Sequence, residues 1–179
     1  NKNIKPLPGD NVEFSVLSQA PPEGNIDRIL PRTSSLIRPA VANIDQALVM
    51  FALADPEPNL NLLDRFLVLM EKNRIPATVA FNKSDLSDAV GRRRYQEVYE
   101  PSGYPVMFLS AGDQTGLREI DDFLEGKTTA LAGPSGVGKS TLTNLLMPGA
   151  NMETGAVSEK IRRGRHTTRH SELFCLRKD

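Results

Sequence analysis

The spacing of apolar and polar positions changes character once along the chain, near Pro39. Before that point, Val12-Glu13-Phe14-Ser15-Val16 alternates apolar and polar side chains, the period of a strand. Pro21-Pro22-Glu23-Gly24 then marks a turn ahead of a further strand, Asn25–Leu30, that stops at Pro31. Two or three strands cannot close a barrel, so residues 1–39 are expected to be part of a small β domain that begins upstream. Beyond Pro39 strands and helices alternate. Ala47–Ala54 (ALVMFALA) is apolar throughout, as suits a strand covered on both faces. Asn59–Asn73 follows as a helix with Leu60, Leu63, Leu67 and Met70 along one face. The pattern next predicts a strand at Ile75–Phe81, a helix at Asp88–Tyr99, a strand at Val106–Leu109 and a helix at Leu117–Leu124. A strand at Thr128–Ala132 then leads through a glycine-rich loop into a helix from Lys139 to Met147. Residues 148–165 show little periodicity and read as loop; Glu172–Leu176 reads as a last strand. Such alternation predicts an α/β fold, a mostly parallel sheet with helices on both faces.

Composition narrows the class. The 179 residues suffice for one medium domain, or one α/β domain with a small appendage. Apolar residues at 39% and charged residues at 25%, without a run of eighteen apolar positions, exclude a membrane-spanning helix and a disordered chain. The single cysteine, Cys175, cannot close an internal disulfide and fits a reducing cytoplasm. The amino terminus has no apolar leader and no Met, so a longer parent protein is expected. Net charge is zero, but unevenly spread: residues 41–90 carry −3, residues 160–179 carry +5 and both histidines. A basic stretch of that kind either holds phosphates or is a solvated loop.

Gly133-Pro134-Ser135-Gly136-Val137-Gly138-Lys139-Ser140 fits G-x-x-x-x-G-K-[ST] between a predicted strand and a predicted helix, the context a phosphate-binding loop requires. Its glycines let backbone N–H groups approach phosphate oxygens, and the helix amino terminus favours negative charge. Lys139 would reach the terminal phosphates and counts among the catalytic candidates. The Ser140 hydroxyl would bind Mg²⁺, and Thr141 is taken with the loop as a nucleotide contact. Asn82-Lys83-Ser84-Asp85 falls at the carboxyl end of a predicted strand, where open α/β sheets bind ligands. N-K-x-D supplies what guanine needs. The Asp85 carboxylate accepts from the ring N–H and the exocyclic amine together, Asn82 bonds the base's other edge, and the Lys83 stem covers its face. Adenine would leave buried groups unpaired at about 1–3 kcal/mol each. Ser110-Ala111, after the next strand, is small enough for a backbone N–H to approach the base. The base reader precedes the phosphate loop, the reverse of the usual order, so the chain is circularly permuted; permutation preserves a site while moving the termini.

Together with PLPGDNVEF near the amino terminus, RPAVANIDQ at 38–46, NLNLLDRFL at 59–67 and GRHTTRH at 164–170, these motifs resemble the circularly permuted GTPases of the RsgA (YjeQ) family, over essentially the whole chain. The resemblance implies an OB-fold ahead of a permuted P-loop GTPase domain, with residues 1–39 the latter part of the OB-fold and 40–179 the GTPase domain. It implies Mg²⁺-dependent GTP hydrolysis coupled to late maturation of the small ribosomal subunit, GTP and GDP as ligands, rRNA binding, hydrolysis stimulated by the subunit, and a cytoplasmic protein expected to act as a monomer away from membranes. Residues 164–170 become the first switch, with Thr167 or Thr168 the Mg²⁺-linked threonine and Thr168 also a catalytic candidate. His166 either orients the attacking water or faces solvent or RNA. Zinc is implied as well, but the cysteines and histidine of the family's zinc domain do not occur in this chain, nor does its D-x-x-G motif after Leu176. Two other readings stay open: an RNA-binding assembly module with structural nucleotide, and a permuted GTPase of large-subunit assembly. Cys175 and Phe14 are both expected to pack in a core, with base stacking the alternative for Phe14.

Overall fold

The structure is a computed structural model, and it describes residues 4–37, 39–147, 149–150, 152 and 171–176. Its centre is a parallel four-stranded sheet built from β5 (Gln46–Ala52), β6 (Ala77–Asn82), β7 (Val106–Phe108) and β8 (Thr129–Ala132), in the order β7-β6-β5-β8. All seven residues of β5 are buried, because its alternating side chains serve two cores. Val49 and Phe51 pack with Leu63, Leu67 and Met70 of α1 (Leu60–Lys72) and with Tyr99 of α2 (Ala89–Tyr99). Leu48 and Met50 pack on the other face with Ile120 of α3 (Leu117–Leu124) and Leu142 of α4 (Lys139–Leu146). Coverage on both faces is what turns the period-two pattern of a strand into the continuous apolar run seen in the sequence.

Asn59 and Asp88 end the loops before α1 and α2 as side-chain caps, accepting from the N–H groups of Leu62 and Gly91. Periodicity alone places both inside the helices. β1 (Val12–Gln19) and β2 (Pro22–Ile29) form an antiparallel hairpin, so the turn falls at Ala20-Pro21 and Gly24 lies within a strand, earlier than the sequence suggested. Pro22 is tolerated as the first residue of a strand, where its missing N–H breaks no ladder. Phe14 does not enter a core: it is 64% exposed, with Val16, Leu17 and Ile26 also open.

A second hairpin, β3 (Ser35–Ile37) with β4 (Ala40–Ala42), spans residues 39 and 40, and its Leu36 belongs to the same core as Val49 and Phe51. Two three-residue strands give too short a period to be recognised in the sequence. The loop at Pro8-Gly9-Asp10 is sewn to this hairpin by Ala42 N–H donating to the Pro8 carbonyl at 2.9 Å, and Arg32 grips Asp10 through two nitrogens at 2.7 and 2.8 Å. Residues 171–176 carry no strand, and Cys175 is exposed, so the expected last strand and the packed cysteine are both corrected. Among the described residues no strand lies beside 172–176 for that alternation to pair with. No helix among the described residues is long and apolar enough to cross a membrane.

Candidate nucleotide site

All four strands of the parallel sheet point their carboxyl ends toward one edge, and the motifs leave from there. β8 ends at Ala132, and the chain turns at Gly133 with φ +146. A Cβ at Gly133 would fall on the Met50 carbonyl oxygen of β5, so only glycine lets the loop start this close to the sheet. Val137 is buried with Leu142 and anchors the loop's far side, and Gly138, at φ +95, hands over to α4. Gly138 cannot cap that helix through a side chain, and no side-chain cap is made. The amino end of α4 thus lies at the end of the loop, where the helix dipole adds partial positive charge. Lys139 is half-buried, and its Nζ donates to the Pro134 carbonyl at 2.5 Å across the loop. Ser140 is half-buried and Thr141 exposed on the first turn.

Asn82, the last residue of β6, is 2% exposed and ties the site together. Its Nδ2 donates to the Val137 carbonyl at 2.8 Å, and its Oδ1 accepts from the Ala111 N–H at 3.0 Å. A Cβ on Gly138 would fall on that same Nδ2, so the glycine makes room for the amide. From sequence, Asn82 was expected to bond the edge of a base. Here each end of its amide already serves a loop, leaving one N–H and one oxygen lone pair for anything else. Lys83 follows in the left-handed region at φ +58, and its Nζ donates to the Asp55 carbonyl. Ser84–Leu86 then form a single 3₁₀ turn with Asp85 exposed at its middle, and Ser84 N–H reaches back to the Leu109 carbonyl at 3.1 Å.

Ser110 is fully buried beyond β7, and its N–H donates to the Thr115 carbonyl at 2.9 Å. This closes a tight loop that leaves Ala111 at its edge. Within it, the Thr115 N–H at 3.0 Å, with hydroxyls of Thr115 and Ser110, holds the Asp113 carboxyl below the usual aspartate range. The three loops enclose an open hollow of about 290 Å³. Asn82, Lys83, Asp85 and Leu86 line one side, Ala111 and Gly112 the second, Gly138 and Thr141 the third.

A family model described as RsgA GTPase matches residues 29–179. The chain belongs to the RsgA GTPase family. It is 54% identical over 176 residues to the small ribosomal subunit biogenesis GTPase RsgA of Agathobacter rectalis, covering 98% of this chain and 58% of that protein. To the protein of the same name from Alkaliphilus metalliredigens it is 47% identical over 175 residues, covering 98% and 60%. The chain thus spans about three fifths of the length of these relatives. The crystal structure of YjeQ from Thermotoga maritima superposes with a TM-score of 0.72 at 38% identity, over 86% of this chain and 55% of that one. That of YloQ, described as a circularly permuted GTPase, gives 0.66 at 40% identity, over 82% and 52%.

For a chain of the RsgA GTPase family, then, the phosphate loop, the N-K-x-D turn and Ser110-Ala111 do come together, though they are distant in sequence. His166, Thr167 and Thr168, with Arg162, Arg163, Arg165 and Arg169, lie outside the described residues. Two residues at the site were not singled out from sequence. Asp55, in the left-handed region at φ +42, presents its carbonyl to Lys83; the Asp55-Pro56-Glu57-Pro58 run after β5 was its only signal. Arg92 of α2 donates from Nη1 to the carbonyls of Ser84 and Ser87 at 3.0 and 3.1 Å, and nothing in Arg92-Arg93-Arg94 distinguishes it from its neighbours. A second hollow of about 410 Å³, lined by Arg74, Thr78 and Tyr104 among others, lies at the opposite, amino end of the strands, away from every motif. Among the described residues no three His, Cys, Asp or Glu side chains gather to hold a metal, so zinc gains no ligands here.

Proposed function

We propose that this chain binds guanine nucleotide with Mg²⁺ at the carboxyl edge of its parallel sheet and hydrolyses GTP as part of a cytoplasmic protein acting in small-subunit maturation. The observation that carries this is Asn82, whose one amide joins the phosphate loop to Ala111 while its neighbour Asp85 rims the same hollow. Phosphate recognition and base recognition are thereby locked into one rigid unit. In this reading Gly133 to Thr141 wrap the phosphates, with Lys139 leaving the Pro134 carbonyl to meet negative charge. Asp85 reads the base and Ala111 limits its depth. The half-buried Ser140 hydroxyl, on the first turn of a helix without a side-chain cap, fits a hard cation that is also bound by phosphate. When bound, Mg²⁺ would neutralise charge on the phosphate oxygens. Thr167 or Thr168 would complete its shell, and His166 either orients water or faces RNA. The relatives' name supports the small subunit as partner, and the basic stretch at 160–179 supports contact with rRNA. The open apolar side chains of β1 and β2 support the reading of residues 1–39 as part of a larger β domain of the OB type.

The test is GTP hydrolysis with Mg²⁺, measured alone and with purified small subunits, large subunits and free RNA in parallel. We expect guanine selectivity and acceleration by small subunits. Equal binding of adenine and guanine nucleotides overturns the site assignment; acceleration by large subunits alone overturns the partner. Hydrolysis indifferent to every partner would favour an RNA-binding module with structural nucleotide.

A further inference from the structure

We propose that Arg92 is a positioning residue for guanine selectivity: from α2 it clamps both ends of the turn that presents Asp85. The proposal rests on the assignment of Asp85 as base reader. The turn Ser84–Leu86 is three residues long, follows a left-handed Lys83, and is closed locally by Leu86 N–H to the Lys83 carbonyl at 3.0 Å and Ser87 N–H to the Ser84 carbonyl at 3.3 Å. So short a 3₁₀ segment has little stability of its own. Its amino end is tied to the sheet through Ser84 N–H and the Leu109 carbonyl. Its carboxyl end is tied by Arg92. One nitrogen, Nη1, carries two hydrogens and bonds the carbonyls of Ser84 and Ser87 at 3.0 and 3.1 Å, spanning Asp85.

The clamp comes from a firm support. The Asp88 side chain caps α2 at 2.8 Å from the Gly91 N–H, and Tyr95 and Tyr99 of the same helix pack against Phe81 of β6 at ring distances of 4.6 and 6.4 Å. Arg92 thus refers the turn to the strand that carries Asn82. It does not line the hollow itself, so it acts through Asp85 rather than on the nucleotide. Its neighbours Arg93 and Arg94 are exposed.

Guanine offers Asp85 two donors and hypoxanthine only one, so the ratio of GDP to IDP affinity reports how well the carboxylate is aimed. A charge-assisted hydrogen bond supplies about 10-fold discrimination or more. In the full chain, Arg92→Gln should lower that ratio by about 5-fold, with GDP affinity falling more than IDP affinity. Arg92→Lys, which keeps a charged donor but on a shorter, unbranched side chain that places its nitrogen differently, should be intermediate. Arg93→Gln should match the unmodified chain. A loosened fold would weaken both nucleotides by one factor and leave the ratio alone, and that result overturns the proposal. So does an unchanged ratio in Arg92→Gln, or in Arg92→Lys should the Gln variant not fold. Asp85→Asn, titrated alongside, separates the two layers. If it keeps the GDP preference, the base-reader assignment fails and Arg92 with it. If it loses the preference while Arg92→Gln retains it, only the Arg92 clamp fails.

Discussion

Replacing Asn82 by Ala isolates the bond between the two halves of the site, because the change removes one amide and leaves every loop in sequence intact. The Val137 carbonyl loses its donor at 2.8 Å in a residue 1% exposed, where water does not substitute, at a cost of about 1–3 kcal/mol. The Ala111 N–H loses its acceptor at 3.0 Å but lies partly open, so rehydration limits that loss to about 0.5–1.5 kcal/mol. The combined loss of about 1.5–4.5 kcal/mol is a large share of the roughly 5–15 kcal/mol that holds a domain folded. For a chain of this size it corresponds to a fall in Tm of about 3–18 °C. Thermal unfolding without nucleotide is the decisive assay, since a residue that only touches the base would leave the free protein unchanged. GDP affinity should fall in addition. Asn82→Asp sharpens the argument. A carboxylate facing the Val137 carbonyl is buried against negative charge, which raises its pKa in the folded state, so this variant should lose further stability as pH rises and regain part of it on acidification. A Tm for Asn82→Ala within 1–2 °C of the unmodified chain, a change of under about 1 kcal/mol, would refute the account of Asn82 as the joint of the site.

Other changes test separate parts. Asp85→Asn should weaken guanine nucleotides and shift preference toward xanthine nucleotides, because an amide donates where the carboxylate only accepts; competition binding with GDP and XDP reads this directly. Lys139→Ala and Ser140→Ala should slow GTP hydrolysis by about 100-fold or more with little change in Tm, since their work is electrostatic and metal-linked; normal turnover in both variants defeats the phosphate-loop assignment. Asp10 is a test by pH. The Arg32 guanidinium, helped by the Leu7 N–H, holds its carboxyl below the ordinary value of 3.8, so the stability it contributes is present above that value and lost as pH falls through the lowered one. The Tm gap between the unmodified chain and Asp10→Asn should therefore stay constant from neutral pH down to that ordinary value and shrink below it.

Where sequence and structure part company, the cause is contact across distance. The long elements were legible because each carries its own period: α1 through Leu63, Leu67 and Met70, β5 through an unbroken apolar run. Short pieces such as Ser35–Ile37 and Ser84–Leu86 hold too few residues to show one. Phe14 illustrates a different limit. Alternation at Val12 to Val16 correctly indicates a strand, but whether either face is covered depends on what lies against it, and among the described residues Phe14 and Val16 stay mostly open.

For the site, the chemistry proposed was carried by the sequence itself. A phosphate loop needs glycines at fixed offsets and a lysine at the start of a helix, and guanine needs a carboxylate just past a strand end; both demands are local, so both are written in consecutive residues. Only the tertiary structure decided how those pieces are joined. The Asn82 amide reaches 55 residues along the chain to Val137 and 29 to Ala111, and those separations leave no spacing rule to read. Arg92 is distinguished from Arg93 and Arg94 only by the direction its helix face takes. The physical reason is common to both: a hydrogen bond needs two groups placed within about 3 Å in space, and residues far apart in the chain, or alike within it, acquire that placement from the packing of the sheet and its helices alone.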